Sequence, residues 1–401
     1  MATKPQLLLT YDFPPMGGGI ARWMGELAKH YPPGMLVVSS GHYPDHTSVD
    51  QQFPNRVDRL SLPARRLRTL QGTVLWSRRA VALAKSLQVT FVWCGNLKPA
   101  AYPARWVMKR TGVPYGVLLH GGDLLILREQ VRRSLVKRET ARALLASASV
   151  LVTNSAWTAA LCREVLDVLR IGELARLIRT VHLGADPLMF QPGLDQSLVR
   201  DRYHLQGRRW LLSVARLTRH KGIDTGIKVL AEIGSIYPDL GYVVVGSGDE
   251  LAALEDLSRR LGVGDRVRFL TGVPDRDLPA LYNCAEVYLG LSRLMRQRVE
   301  GFGIALVEAS ASGVPVVATR TGGIVDAVRH EETGLLIPAD QPDQIVAALR
   351  RLLDDPALAA RLGAAGRRAV ETYYNWGRVA ADLAELGSEA GGSARLNVVR
   401  R

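Results

Sequence analysis

Short apolar runs alternate with helical stretches along most of this 401-residue chain, and no other sequence feature constrains its fold as strongly. The apolar runs end at Gly, Pro, Asn or Ser, and segments with helical periodicity lie between them. Buried parallel strands joined by helices produce this pattern, because helices cover both faces of such a sheet. The candidate strands are Gln6–Tyr11, Met35–Ser39, Phe91–Trp93, Gly116–Leu119, Val150–Thr153, Trp210–Ala215, Tyr242–Val245, Val267–Leu270, Val287–Leu289, Val314–Ala318 and Gly334–Pro338. The sequence therefore predicts an α/β protein with doubly wound parallel sheets.

The second half of the chain repeats the alternation of strands and helices found in the first half. This repetition predicts two Rossmann-like domains. A single core rarely grows beyond about 250–300 residues, so the length also favours two. We place the first domain at 1–188 and the second at 189–374. We expect a helix over 375–386 to rejoin the first domain, and 387–401 to form a loose polar tail. The strands of both domains are expected to end toward a shared central cleft, where ligands of open α/β sheets bind.

Composition excludes several classes of protein. The 47% hydrophobic and 22% charged content is that of a soluble globular chain. Three scattered cysteines without CxxC spacing argue against a disulfide framework or a cysteine zinc site. The first residues lack a signal-peptide pattern, and the uncharged stretch 143–162 is too polar for a membrane span. We interpret that stretch as a helix end, a buried strand and a helix start, and expect a cytoplasmic protein.

The formal net charge of +14 is concentrated in the first half. Residues 1–188 carry 25 Lys and Arg against 12 Asp and Glu, whereas the remainder carries 27 against 26. Two segments, 65–79 and 124–145, are both basic and amphipathic. Such faces suit an anionic membrane surface or a lipid-diphosphate acceptor. Core-packed helices with solvated arginines explain them equally well, so peripheral attachment to the inner face of the cell membrane stays open.

The strongest motif lies between residues 299 and 317. Glu300 and Glu308 are separated by seven residues that contain Gly301-Phe302-Gly303, and a helix and a strand follow. Glycines at a helix start let a ligand approach the backbone, and the free N–H groups there suit a phosphate. Glu300, in the loop, is placed to accept hydrogen bonds from sugar hydroxyls, and Glu308, two turns into the helix, to reach a ribose. A pair of solvated glutamates is the alternative.

A second motif follows the strand that ends near Ala215. Arg216 and Lys221 flank a short turn, and a helix opens at Gly222. Two cations fixed at a strand-to-helix turn match a diphosphate, because Arg binds in a forked manner and Lys acts as a point charge. A solvated basic loop is the alternative.

Two further loops follow strands in the first half. The glycine-rich loop after the first strand fits neither GxGxxG nor GxxxxGK[ST], which disfavours NAD or ATP binding. Its Gly18 and Gly19 still permit backbone donors to meet a phosphate or a sugar. His120, followed by two glycines at the end of an apolar strand, is placed to line the cleft; a loop histidine held by backbone is the alternative.

These motifs together resemble retaining glycosyltransferases of the GT-B fold, family 4, also called group 1 glycosyltransferases. The resemblance runs from about Gln6 to Tyr374. It rests on the order and spacing of the motifs above, supported by Thr153-Asn154-Ser155, by His182–Asp186 and by the segment from Val273 to Tyr282.

The resemblance implies an enzyme of the EC 2.4 class that moves a hexose from a nucleotide-sugar donor. The second domain would bind the donor and the first the acceptor. The diphosphate would be held by the two cations, the sugar by Glu300, the nucleobase near Val273. The implied catalytic residues are His120, Arg216, Lys221 and Glu300. The implied donor-binding residues are Gly18, Gly19, Arg216, Lys221, Val273, Glu300, Gly301, Phe302, Gly303, Ile304 and Glu308.

No cofactor and no metal are expected, because the family uses Arg and Lys where other enzymes use a metal. The triplet Asp275-Arg276-Asp277 has the form of a metal-binding DxD, but it precedes a helix, so we interpret Asp275 as an N-cap. The long basic loop before Glu300 resembles that of relatives that mannosylate lipids. The donor is therefore GDP-mannose or a UDP-sugar, and the acceptor a cell-envelope, lipid-linked or oligosaccharide glycan. A non-catalytic GT-B scaffold and a basic nucleic-acid binder are the alternatives; low aromatic content disfavours nucleic acid as a partner.

Overall fold

The computed structural model describes the backbone of residues 4–399 and the side chains of residues 4–392. The chain divides into two compact units. Unit 1 runs to Leu183 and resumes at Trp376, and unit 2 spans Gly184–Asn375. The boundaries expected from the sequence, 188/189 and 374/375, lie a few residues from these positions.

Unit 1 is built on a seven-stranded, all-parallel sheet in the order β3-β2-β1-β4-β5-β6-β7. Its central strands are fully buried apolar runs, as expected for a sheet covered on both faces. The order reverses direction between β1 and β4, which makes that position the switch point of the sheet. The strands are β1 Gln6–Leu9, β2 Leu36–His42, β3 Arg56–Pro63, β4 Val92–Cys94, β5 Tyr115–Leu119, β6 Val150–Thr153 and β7 Ile178–Thr180.

The helices of unit 1 connect successive strands, and the last helix of the chain returns to this unit. They are α1 Gly19–His30, α2 His46–Asp50, α3 Leu70–Ser86, α4 Ala101–Thr111, α5 Gly122–Arg133, α6 Leu135–Ala146, α7 Ala156–Val168 and, at the C-terminal end, α16 Trp376–Val399. Short 3₁₀ helices cover Ala64–Arg68 and Gly172–Leu177.

Unit 2 carries a six-stranded parallel sheet in the order β10-β9-β8-β11-β12-β13, with its switch point between β8 and β11. One continuous core of Val, Leu and Ile side chains fills the space between this sheet and its helices. The strands are β8 Arg209–Val214, β9 Leu240–Val245, β10 Val267–Leu270, β11 Ala285–Gly290, β12 Val316–Thr319 and β13 Leu335–Ile337. The helices are α8 Ser197–Arg202, α9 Ile223–Ile233, α10 Leu251–Arg260, α11 Leu278–Asn283, α12 Ile304–Ala311, α13 Ile324–Ala327, α14 Pro342–Asp354 and α15 Pro356–Thr372; 3₁₀ helices cover Arg219–Lys221, Gly264–Arg266 and Asp275–Asp277. The predicted α/β architecture of two doubly wound units is confirmed.

The C-terminal segment differs from the prediction of a loose tail over 387–401. Helix α16 continues through 387–399, and residues 400–401 lie outside the described residues. The helix packs against unit 1 through Gln6, whose Nε2 donates to the Ala384 carbonyl at 3.0 Å. A Cβ at Gly387 would lie 2.2 Å from Oε1 of Gln6, so the absence of a side chain there permits the close approach. Gly387, in the segment expected to be a loose tail, is therefore a packing position.

The uncharged stretch 143–162 has the structure that the sequence predicts. It contains the end of α6, buried strand β6 and the start of α7. Among the described residues, no helix combines the length and apolarity needed to cross a bilayer.

Candidate active site

The cations predicted to bind a diphosphate lie at the switch point of unit 2. Arg216 follows β8, and the loop that leads to Glu300 follows β11, its neighbour in the sheet. Ligands of open parallel sheets bind at this edge, because loops from strands with opposite connections diverge there and leave a crevice. The sheet order therefore puts both motifs at one end of one unit.

The turn that carries the two cations is held by its own backbone and by its neighbours. The Leu217 N–H donates to the Ser247 carbonyl at 2.8 Å, which ties the turn to the loop after β9. Arg293 clamps the other side: its N–H donates to the His220 carbonyl at 2.8 Å, and its guanidinium pairs with Asp224. The turn is thus fixed from both sides by contacts within unit 2.

Lys221 and Glu300 come together as an ion pair. The ammonium of Lys221 donates to Oε2 of Glu300, and the side chains are 18% and 22% exposed. Arg216 is exposed, and among the described residues its guanidinium has neither an ion-pair partner nor a hydrogen bond. The site therefore presents one cation oriented by a carboxylate and one that is available to an anion.

His220 lies between these cations and does not add to their charge. Its side chain is 8% exposed, and Nδ1 lies 3.0 Å from the Thr218 hydroxyl. Burial, and then the neighbouring Lys221, lower the pKa of His220 to about 4. The imidazole is neutral at pH 7, so the positive charge of this turn comes from its Arg and Lys side chains alone.

Glu308 is buried at the second turn of α12. Its side chain is 6% exposed, and the Tyr282 hydroxyl donates to its Oε2 at 2.8 Å. Helix α12 begins at Ile304, directly after Gly303, so its first N–H groups point toward the Glu300 loop. The helix start, Glu300 and Glu308 offer a phosphate-binding end and two carboxylates that can accept hydrogen bonds from hydroxyls.

Three of the predicted site residues, Gly18, Gly19 and His120, lie at the corresponding edge of unit 1. Gly18 and Gly19 are exposed at the start of α1, and Gly18 has φ 120°. His120 follows β5; its Nε2 lies 2.6 Å from the Gly95 carbonyl, and its ring meets that of Trp23 edge-on, 4.9 Å between centroids. His120 is therefore held by a backbone carbonyl, which is the alternative that the sequence left open for this residue. It also faces the loops after β1 and β4.

Comparisons with known proteins identify the family. The family model for glycosyl transferases group 1 matches residues 197–369. The GDP-mannose-dependent alpha-(1-6)-phosphatidylinositol monomannoside mannosyltransferase of Mycolicibacterium smegmatis is 31% identical over 389 residues, which cover 95% of this chain and 97% of that protein. This chain belongs to the group 1 glycosyltransferases. The protein of the same name from Mycobacterium tuberculosis is 30% identical over 390 residues, with the same coverage of both chains.

Solved structures resemble this group 1 glycosyltransferase over nearly its whole length. Sucrose-phosphate synthase from Thermosynechococcus elongatus matches with a TM-score of 0.77 and 22% identity, covering 97% of this chain and 100% of that one. HepE from Anabaena, in complex with UDP and glucose, matches with a TM-score of 0.76 and 20% identity, covering 95% and 98%. At these identities the likeness concerns the fold, which is that of GT-B enzymes.

The chain is thus a glycosyltransferase, and the structure distributes its predicted site residues over both units. Within unit 2, Lys221 forms an ion pair with Glu300, and Arg216 lies in the same turn as Lys221. Glu308 accepts a hydrogen bond from the Tyr282 hydroxyl. Val273 lies half-buried in the loop after β10, at the same edge of the sheet.

In the triplet Asp275-Arg276-Asp277, the carboxylate of Asp277 is paired within the protein, and Asp275 does not cap the helix that follows. Asp277 is 7% exposed, and Arg202 and the Tyr203 hydroxyl both donate to its Oδ2 at 2.6 Å. Asp277 also precedes α11 directly, so the prediction of Asp275 as the N-cap of that helix is wrong. The carboxylate of Asp277 is used to hold α8 against α11.

Sequence reasoning missed two side chains that position this site. Arg293 was noted only as part of a long basic loop, although it anchors the cationic turn through Asp224. Tyr282 was noted only as the end of a motif, although it bonds to Glu308. Their partners, Asp224 and Glu308, lie far away in the sequence, so the local sequence gives no sign of either contact.

Proposed function

We propose that this protein is a retaining, metal-independent α-mannosyltransferase that transfers mannose from GDP-mannose to a phosphatidylinositol-mannoside type of glycolipid. The proposal rests on 30–31% sequence identity, over 95% of the chain, to enzymes whose names give this donor and acceptor. A UDP-sugar is the alternative donor.

In the proposed reaction an acceptor hydroxyl oxygen bonds to C1 of mannose. The bond between C1 and the β-phosphate oxygen of GDP breaks, and the hydroxyl proton ends on the departing diphosphate. Attack from the face that GDP leaves retains the configuration at C1. Charge accumulates on the diphosphate in the transition state, so fixed cations there give the largest electrostatic stabilisation.

Arg216 and Lys221 are the groups proposed to supply that stabilisation. Lys221 is oriented by Glu300, and Arg216 can bind phosphate oxygens in a forked manner. Glu308 is proposed to accept hydrogen bonds from the ribose, and Glu300 from the transferred sugar. With two cations against a diphosphate, the reaction needs no divalent metal.

The donor is tested by the thermal stability of the protein with GDP-, UDP- and ADP-sugars. A ligand at 100 times its Kd stabilises the folded state by about 2.7 kcal/mol, which is readily visible as a higher unfolding midpoint. We expect GDP-mannose to give the largest shift. A larger shift with a UDP-sugar would select the alternative donor.

The stereochemistry is tested on the product. Incubation with GDP-mannose and a phosphatidylinositol monomannoside should add one hexose, detected by mass spectrometry. The anomeric coupling of the new residue in NMR should be that of an α-mannoside, since the donor is α. A β-linked product would contradict retention.

We also propose that unit 1 docks on an anionic membrane surface to reach this acceptor. Residues 59–122 contain eleven Lys and Arg and no acidic residue. At the junction of α5 and α6, Leu135 and Val136 are 74% and 77% exposed, and exposed basic side chains flank them on both sides. Leu70, at the start of α3, is 85% exposed and follows the arginine-rich 3₁₀ helix Ala64–Arg68. Apolar side chains surrounded by cations suit insertion between anionic headgroups.

A further inference from the structure

The loop between β11 and α12 exposes large apolar side chains among arginines. Leu294 is 56% exposed and Met295 39%, and three of the other four residues of the segment 293–298 are arginines. We call this segment the arginine loop. Residues 287–299 contain no acidic residue. A single exposed Leu is ordinary on a protein surface, but adjacent large apolar side chains bordered by charges are typical of an interaction site.

Hydrogen bonds fix the shape of the arginine loop at its tip and at its base. At the tip, the Met295 N–H donates to the Arg298 carbonyl at 2.9 Å, and the Arg298 N–H donates to the Met295 carbonyl at 3.2 Å. At the base, the Thr321 hydroxyl donates to the Ser292 carbonyl at 2.9 Å. The exposure of Leu294 and Met295 is therefore a feature of a defined turn.

The arginine loop lies at the ligand-binding edge of unit 2. It follows β11, at the switch point of the parallel sheet, and Glu300 comes two residues after Arg298. The Arg293 N–H donates to the His220 carbonyl at 2.8 Å, which joins the loop to the cationic turn. Whatever binds the loop would therefore lie beside the proposed donor site of the same unit.

The side chains of the loop indicate what it binds. Arg298 is exposed, and among the described residues its guanidinium has neither an ion-pair partner nor a hydrogen bond. Guanidinium groups bind phosphate oxygens in a forked manner, so the partner is anionic. Leu294 and Met295 gain free energy by leaving water, which a small soluble phosphate does not allow them to do. A bilayer with anionic headgroups satisfies both kinds of side chain, since its phosphates lie at the surface and its acyl chains directly beneath.

We propose that the arginine loop inserts Leu294 and Met295 into an anionic membrane, with Arg296 and Arg298 on lipid phosphates. This inference rests on the proposed function, because a glycolipid acceptor would bring the enzyme to such a membrane. It goes beyond that function by giving unit 2 a membrane contact of its own, beside the site that would hold the donor.

A fluorescent dye on the loop tests the contact without any turnover. Cys94, Cys162 and Cys284 are buried, so a maleimide of nitrobenzoxadiazole is directed to the new thiol of Gln297→Cys. With vesicles of phosphatidylcholine and phosphatidylglycerol, we expect the emission to rise and to shift to shorter wavelength, because the dye leaves water. The change should weaken as salt screens the arginines.

The control for this dye is Ser235→Cys. Ser235 is exposed and precedes β9, so it lies at the opposite edge of the same parallel sheet. Its dye should keep the emission that it has in water. Equal changes at both positions would overturn the inference. So would a protein that binds the vesicles while the Gln297 dye stays in water, or one that does not bind them.

The double variant Leu294→Ser, Met295→Ser separates membrane contact from chemistry. The acceptors are phosphatidylinositol monomannoside in anionic vesicles and its soluble, deacylated form, with GDP-mannose as donor. Loss of two apolar side chains should lower kcat/KM for the vesicle acceptor at least about tenfold and leave that for the soluble acceptor unchanged. Ile236→Ser, at a position that is 53% exposed, should match wild type on both acceptors. Equal losses of the double variant on both acceptors would overturn the inference, since the loop would then serve substrate binding itself.

Failure of the proposed function and failure of this inference give different results. If GDP-mannose supports no transfer, the proposed function is wrong, and the Gln297 dye still reports whether the loop enters the bilayer. If transfer occurs and the double variant matches wild type on vesicles, the proposed function stands and the membrane contact of the loop is wrong.

Discussion

Lys221 illustrates how one side chain is prepared for its task. Its ammonium is paired with Glu300, and the turn beneath it is fixed by the Leu217 N–H and by Arg293. Because these contacts are made within the protein itself, we expect little reorganisation when the proposed diphosphate binds. The neutral neighbour His220 adds no positive charge to that of Arg216, Arg219 and Lys221.

Replacing Lys221 by Ala is therefore expected to reduce catalysis far more than stability. Removal of one preorganised electrostatic group of this kind costs about 10²–10³-fold in rate, measured here as kcat/KM for GDP-mannose. Lys228→Ala, at an exposed position on α9, is the matched control and should behave as wild type. A Lys221→Ala variant with full activity would contradict the assignment.

The buried carboxyl group of Asp12, in the loop after β1, leads to a prediction about how stability depends on pH. Burial raises the pKa of its carboxyl above the ordinary value of 3.8, so the folded state holds this proton more tightly than the unfolded state. Stability is therefore lost as pH rises from 3.8 through the raised pKa, and the loss then stays constant. Asp12→Asn removes the titration, so its unfolding midpoint should gain on that of wild type between pH 4 and neutrality. A difference that does not change with pH would contradict this.

At the scale of elements, the start of α9 depends on a close backbone approach. Gly222 has φ 69°, and a Cβ there would lie 1.9 Å from the Leu291 carbonyl oxygen. Gly262 has nearly the same φ, 70°, but a Cβ there would meet nothing within 4 Å. The two positions separate backbone strain from a steric clash.

Substitution of each glycine by Ala measures that difference. Gly262→Ala should cost about 1–2 kcal/mol in the free energy of unfolding, which is the strain of a left-handed conformation alone. Gly222→Ala should cost more and should also weaken GDP binding, because the clash displaces the turn that carries Lys221. Equal unfolding midpoints and equal GDP affinities for the two variants would show that the approach to Leu291 is unimportant.

The elements themselves were predictable to different degrees. Strands Val150–Thr153 and Val267–Leu270 match their apolar runs residue for residue. Strand β3 was missed because polar residues interrupt it at the sheet edge, and β7 because two of its three residues are exposed. The basic amphipathic segment 124–145 is divided between helices α5 and α6, because Ser134 caps α6 at a position where no Gly or Pro signals a break.

The candidate site was predictable where its residues are close in sequence. The loop around Glu300 and the turn with Lys221 each carry a recognisable motif, but their ion pair joins positions 79 residues apart. Asn96 and Asp12, joined by a buried hydrogen bond from Nδ2 to Oδ2, belong to no motif. Only the sheet order, which brings the ends of β1 and β4 together, makes them neighbours.

At the scale of the whole molecule, the excess of positive charge in the first half of the chain predicts salt-dependent binding to anionic membranes. Flotation with vesicles that contain anionic lipid should recover the protein at low salt, and recovery should fall as salt screens the charge. Each Leu or Val that becomes fully buried contributes about 1.5–3 kcal/mol, so the double variant Leu135→Ser, Val136→Ser should lower recovery markedly. Leu198→Ser, a control in unit 2 with 74% exposure, should not. Equal recovery with neutral and anionic vesicles would contradict the docking surface.

The central claim is that cations of the protein, and no metal, stabilise GDP as it leaves mannose. The most direct measurement is transfer from GDP-mannose to a phosphatidylinositol monomannoside in excess EDTA, with wild type and Lys221→Ala side by side. We predict a wild-type rate that EDTA leaves unchanged and a rate for the variant that is severely reduced with or without EDTA. A wild-type rate that EDTA abolishes and magnesium restores would contradict the claim.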